Sequence, residues 1–170
     1  MVSSEVAPFA KTGGLGDVLG ALPQALALLG HDVRVVMPKY GCIPEHFKSE
    51  MEFLFYLYVP LGWRNKYCGV FSLKRQGVTY YFIDNEYYFS GNALYKWNDL
   101  ERFAFFDKAS LEILRKLDFR PNIIHCHDWQ TGMVPVILEA YYKRDEFFCG
   151  IKTVFTIHNL RYQGIYSIEA

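Results

Sequence analysis

The stretch Lys11-Thr12-Gly13-Gly14-Leu15-Gly16-Asp17-Val18 constrains this chain more than any other, because it sets a lysine and three glycines directly before a long apolar-periodic segment. Upstream, Met1-Val2-Ser3-Ser4 reads as the end of a strand, so the order is strand, glycine loop, helix, the order of phosphate-binding α/β units. Glycines let the backbone turn sharply and approach a ligand, and the helix that follows offers unpaired N–H groups and the positive end of its dipole. With Lys11 beside it, the loop is an anion site suited to a phosphate. The dinucleotide fingerprint is not met, since its third glycine belongs where Leu19 stands and Gly20 comes one residue late. No Gly-Lys-Ser/Thr ending is present either, which excludes a P-loop. On the glycines alone, a loop that ends a strand and admits tight helix packing is the alternative.

The segment from Asp17 to Leu29 places Val18, Leu22, Ala25, Leu26 and Leu29 on one helical face and closes on Gly30, while Pro23 predicts a kink or a broken first turn. His31 to Pro38 reads as a short buried strand stopped by proline. From Met51 to Asp84 the texture becomes β-rich and aromatic, with runs Phe53–Val59, Gly69–Leu73 and Val78–Ile83 and a hairpin-length turn at Arg75-Gln76-Gly77. These are antiparallel strands added to a parallel sheet. A helix from Asp99 to Leu117 follows, with Phe103, Phe106, Ile113, Leu114 and Leu117 inward. The last third restores the α/β rhythm: strand Asn122–Cys126, helix from about Thr131 to Tyr142, strand Lys152–Ile157.

Both late strands end in polar residues, His127-Asp128-Trp129 and His158-Asn159. In open parallel sheets the carboxyl ends of the strands form the ligand crevice, so these clusters and the glycine loop converge on one site. His125, His127 and Asp128 carry metal-ligating atoms, but only His158 is available to complete a set, and no metal is expected. Packing of one histidine in the strand and hydrogen bonding of the other at its end is the simpler reading, and Asp128 there is equally suited to cap a helix. Trp129 beside Asp128 suits a sugar, which offers C–H surface and hydroxyls, although core packing is the commoner fate of a tryptophan. Tyr87-Tyr88-Phe89 and Tyr95-Lys96-Trp97 share that ambiguity. His158-Asn159-Leu160-Arg161-Tyr162-Gln163-Gly164 ends an apolar strand in polar groups that each need a partner, as a ligand loop does.

Composition narrows the class. The 170 residues suit one domain, and 51% hydrophobic content supplies a core. Eighteen basic residues balance eighteen acidic ones, so no global field steers the protein to nucleic acid or an anionic membrane. Cys42, Cys68, Cys126 and Cys149 are widely spaced without a C-x-x-C pair and read as reduced thiols. With no signal peptide or apolar run of about 18 residues, a cytoplasmic location is expected.

The glycine-loop block, His125-Cys126-His127-Asp128-Trp129-Gln130-Thr131-Gly132, and His158 to Gly164 together resemble the three signature blocks of bacterial glycogen synthases and plant starch synthases, in the same order. Almost the whole chain, including Asp84-Asn85-Glu86-Tyr87-Tyr88-Phe89, is similar to the amino-terminal domain of that family. The resemblance implies a Rossmann-like α/β domain of a GT-B glycosyltransferase with a β-rich aromatic insertion, the carboxy-terminal nucleotide-binding domain being absent. It implies transfer of glucose from ADP-glucose to the non-reducing end of an α-1,4-glucan with retention, without a cofactor. His158 and Asp128 would then be the catalytic pair, His158 lying near the reacting carbon. Lys11, Thr12, Gly13, Gly14 and Asp17 would bind the donor, with the amides of Gly13 and Gly14 facing its diphosphate. Tyr95, Trp129, Asn159 and Gln163 would make the remaining substrate contacts.

In that family the chain starts several residues before Ser3-Ser4-Glu5, and here Ala170 follows soon after a site loop. The expectation is therefore a fragment with half an active site, inactive by itself. One rival is a non-catalytic glucan-binding module resting on the aromatic segments. Another is a nicotinamide-dependent oxidoreductase, for which the strand ending at Met37 lacks the acid that grips a ribose.

Overall fold

The computed structural model describes residues 1–167, so Ala170, on which the expectation of a cut end turned, lies outside the described residues. The element order is α1 (Gly14–Leu28), β1 (Arg34–Pro38), α2 (Glu45–Glu50), β2 (Glu52–Leu61), β3 (Arg64–Arg75), β4 (Val78–Asp84), α3 (Glu86–Phe89), α4 (Asp99–Lys116), β5 (Ile123–His127), α5 (Met133–Ile137) and β6 (Lys152–Thr156). Strands β1, β4, β3 and β2 form one sheet in that order, and β5 and β6 form another. The amino-terminal segment joins them. Val2 bridges Val36 of β1 on one side and Cys126 of β5 on the other, both in parallel, through Val2 N–H to the His125 carbonyl and Ser3 N–H to the Val36 carbonyl.

The parallel strands therefore run β4, β1, amino-terminal segment, β5, β6. Counted along the chain, with the amino-terminal segment first, this is the doubly wound order of a Rossmann-like fold, whose switch point lies between the first strand and β5. β3 and β2 extend the sheet antiparallel beyond β4, as the aromatic texture predicted. Between β3 and β4, Gln76 and Gly77 both have positive φ, 51° and 76°, the turn that matches the twist of a two-residue hairpin.

Three expectations change in detail. α1 starts at Gly14 rather than Asp17 and runs on through Pro23, where the Gly20 carbonyl accepts from Gln24 Nε2 at 2.7 Å. Its buried face is Leu15, Leu19 and Pro23, while Val18 is part-exposed at the cleft side and Leu29 is exposed. Leu15 and Leu19 lie one turn apart, and with the helix starting at Gly14 they continue the half-buried Leu22 and Leu26 as one inward stripe. At its far end Gly30 takes φ 90°, and the Gly30 and His31 amides bond back to Ala27 and Leu26, closing the helix as expected. The helix expected from Thr131 to Tyr142 divides into a single 3₁₀ turn, Trp129–Thr131, then α5, then a π turn, Leu138–Tyr142. α4 meets its expectation more closely, burying Phe103, Phe106, Ile113 and Leu114.

Candidate active site

At the switch point the amino-terminal segment and β5 end side by side, and a cleft of about 750 Å³ opens beyond them. Thr12, Gly13, Gly14, Tyr95, Asp128, Trp129, His158 and Asn159 line it. Four sequence-distant segments thus share one wall. The cleft also takes Leu15, Val18, Gln130 and Tyr162, which lie in the sequence blocks quoted above without an assigned contact, and Glu5 and Asp99, for which the sequence suggested no site role. A second cavity, about 490 Å³, opens elsewhere, beside the start of β1 and β5. Its Arg34 is already engaged by Asp32, by the Tyr81 hydroxyl and by the face of Phe119.

The glycine loop is built around Glu5. Its Oε2 accepts from the Thr12 amide at 2.6 Å and the Gly13 amide at 3.1 Å, while Oε1 accepts from Thr12 Oγ1 at 2.7 Å and the Tyr95 hydroxyl at 2.5 Å. Burial raises the affinity of this carboxyl for a proton, but the hydrogen bonds from Tyr95, Thr12 and Gly13 outweigh it and hold the group below the usual carboxylate range. Tyr95 moves the other way, because burial and the bond to Glu5 both favour the neutral phenol. The sequence signal for Glu5 was an acid directly after the first strand, facing a glycine loop across a short return. Gly13, whose amide was expected to face a diphosphate, instead points its N–H at Glu5.

Asp128 sits at the end of β5 with φ 60° and ψ 176°, a backbone region otherwise held by glycine. It is kept there from three sides. Its N–H donates to the Thr156 carbonyl at 2.9 Å, its Oδ1 accepts from the His158 N–H at 2.7 Å, and its carbonyl accepts from Thr131. The capping alternative is not realised, because the side chain makes no cap bond to the turn that follows and reaches across to β6's terminus instead.

Three histidines stack beneath this point. The rings of His125 and His127 lie 4.0 Å apart, and His127 Nδ1 is 3.0 Å from His158 Nε2. His125 Nε2 meets Thr156 Oγ1 at 2.7 Å. Burial, then the neighbouring His125 and His158, push the His127 pKa down to about 3, so it stays neutral. Trp129 packs its ring against Phe103 and Tyr166, and the Gly164 backbone lies so close that a Cβ there would be 2.3 Å from the indole.

Lys11, Asp17 and Gln163 are not among the residues lining the cleft. Lys11 Nζ pairs with Asp17 Oδ1 at 2.5 Å, both side chains about half exposed. An exposed pair of this kind is worth at most about 1 kcal/mol and can open readily. Gln163 turns back on its own loop, donating to the Leu160 carbonyl, while Asn159 accepts from the Arg161 amide.

Comparison with known proteins decides the family. The model of the starch synthase catalytic domain matches residues 1–170. The chain belongs to this family. Among curated relatives, the glycogen synthase of Anoxybacillus flavithermus is 54% identical over 169 residues, 99% of this chain and 35% of the relative. That of Geobacillus stearothermophilus is 54% identical over 164 residues, 96% of this chain and 34% of the relative. The solved catalytic domain of starch synthase IV from Arabidopsis thaliana, bound to ADP and acarbose, superposes with a TM-score of 0.87 at 32% identity, covering 96% of this chain and 34% of that one. This starch synthase family chain thus spans about a third of the relatives it matches, and the Rossmann-like α/β class expected from the resemblance is the fold it has. Among the described residues no helix is long and apolar enough to cross a membrane.

Proposed function

We propose that this chain forms one half of the active site of a glycogen or starch synthase, transferring glucose from ADP-glucose to the non-reducing end of an α-1,4-glucan with retention. The observation that carries this reading is the meeting of the glycine loop, Asp128 and His158 on one cleft at the switch point. The similar starch synthase IV holds ADP and acarbose, a nucleotide and an oligosaccharide of the classes required. In this reading Lys11 leaves Asp17 to meet the donor diphosphate, together with the amino terminus of α1. A Cβ at Gly13 or Gly14 would touch nothing within 4 Å, so both glycines leave room for that ligand's approach. As the glycosidic bond breaks, charge grows on the departing diphosphate, and these cationic and N–H groups stabilise it. His158, held by Asp128 and His127, faces the donor sugar. Tyr95, Trp129 and Asn159 form the sugar side of the cleft, and Gln163 joins them if its loop turns. The compartment in this reading is the cytoplasm.

The test is a chimera in which this chain replaces the matched stretch of the Geobacillus stearothermophilus enzyme, assayed for labelled glucose transfer from ADP-glucose to glycogen. Transfer is expected, with Lys11→Ala and His158→Ala each lowering kcat/KM by about two orders of magnitude. A folded but inert chimera that is retained on glycogen equally with and without those substitutions would establish the glucan-binding module instead.

A further inference from the structure

Glu5 is only 3% exposed, yet it is charged and stands at the back of a cleft assigned above to an anionic ligand. Its carboxylate is saturated: the Thr12 and Gly13 amides, the Thr12 hydroxyl and the Tyr95 hydroxyl occupy both oxygens. This arrangement has a directional consequence. Two successive amides of the glycine loop are turned inward, Gly13 adopts an extended backbone with φ −152° and ψ −165°, and α1 begins at the very next residue. The first amides of α1 have no partner within the helix by its geometry.

The glycines divide in the same way. At Gly16 a Cβ would lie 2.4 Å from Lys11 Cβ and 3.4 Å from Glu5 Oε2, so this glycine is explained by the protein's own packing over Glu5. At Gly13 and Gly14 a Cβ would meet no protein atom within 4 Å, so their free space faces the cleft.

We propose that Glu5 is the positioning residue of the donor site, a built-in carboxylate that turns the Thr12 and Gly13 amides away from the cleft and leaves the donor diphosphate to the amino terminus of α1. This rests on the reading of the cleft as a nucleotide-sugar site. Through Tyr95 the same carboxylate ties the loop to the segment before α4, and Tyr95 also reaches Ser4 Oγ at 3.2 Å. One side chain therefore sets the spacing between the glycine loop and Tyr95 along the cleft. Glu5 does not touch the reacting atoms; it acts through the loop.

The chemistry separates position from charge. In Glu5→Gln the amide oxygen can accept from Thr12 N–H and Gly13 N–H, and the NH₂ can donate to the Thr12 and Tyr95 hydroxyls, which are able to accept. In Glu5→Ala both loop amides lose their partner. Within the chimera, Glu5→Ala is expected to raise the KM for ADP-glucose at least about tenfold while the KM for glycogen stays within about twofold, and Glu5→Gln is expected to stay within about threefold for both. An unchanged donor KM in Glu5→Ala, or a Glu5→Gln as impaired as Glu5→Ala, overturns the proposal. Amide-proton shifts of isotope-labelled Thr12 and Gly13 give a readout that needs neither turnover nor a folded Glu5→Ala. Strongly downfield shifts in the unsubstituted protein and in Glu5→Gln support the proposal, and ordinary shifts in either overturn it. An inert unsubstituted chimera would refute the functional reading instead, and the shifts would then decide the loop geometry by themselves.

Discussion

His127 shows how a single side chain links packing to pH. It is fully buried, bonded to His158 and stacked on His125, and its pKa is depressed to about 3 from the ordinary 6.5. The unfolded chain takes up a proton on this residue below about pH 6.5, whereas the folded chain does not until about pH 3. Over that window the unfolded state binds more protons, so stability falls as pH falls. The expected loss from His127 by pH 5 is about 2 kcal/mol. Urea unfolding at pH 7 and pH 5 checks it: the decrease should be smaller by about that amount in His127→Gln, and equal decreases in both proteins would refute the assignment. Asp128, next along the chain, spends backbone energy of about 1–3 kcal/mol to hold φ 60° and ψ 176°. Its residue type and place at a strand end were readable, but its use was not: a capping pattern and a cross-strand clamp on the His158 N–H look the same in sequence.

At the level of elements, α5 is short and its start is fastened from outside. Asp107, on α4, is buried, and its Oδ2 accepts from the Met133 N–H at 2.9 Å. Among the described residues its Oδ1 has no partner. Burial, opposed by the Met133 and Val134 amides, raises its pKa well above the usual value and favours the neutral acid. A raised carboxyl pKa contributes stability at low pH that is lost as pH rises through the folded value. Asp107→Asn keeps the acceptor without the charge and is expected to match the unsubstituted protein at low pH while losing this rise-dependent decline. Asp107→Ala leaves the Met133 amide unpaired and should cost about 1–3 kcal/mol. Thermal unfolding from pH 5 to pH 8 separates the three, and identical pH slopes for Asp and Asn would sink the argument. The division of the expected 131–142 helix was hidden for the same reason. Apolar periodicity continues across Gly132, and only the α4 contact decides where the α turn restarts.

For the whole molecule, the amino-terminal segment is the keystone, because Val2 bridges both β1 and β5 and so brings the glycine loop beside Asp128. β6 is the opposite case, paired with β5 on one side and carrying exposed Val154 and Phe155, with exposed Ile157 just past its end. Exposed apolar edge strands promote association. The 170-residue chain by itself is therefore expected to self-associate, and Phe155→Lys to shift it toward monomer in sedimentation velocity; an unshifted profile would place the association elsewhere. The order strand, glycine loop, helix, the antiparallel aromatic strands and the polar blocks at the strand ends were all determined by the amino-acid sequence. They follow from local periodicity, turn residues and chain order, which do not depend on remote partners. The tertiary structure alone decided that Glu5 holds two loop amides, that Lys11 rests on Asp17, that Leu15 and Leu19 form the inner face of α1, and that Gln163 turns from the cleft. Hydrogen-bond donors choose among acceptors by distance in space, and Tyr95 reaches Glu5 across 90 residues of chain, a separation over which no sequence pattern carries the choice.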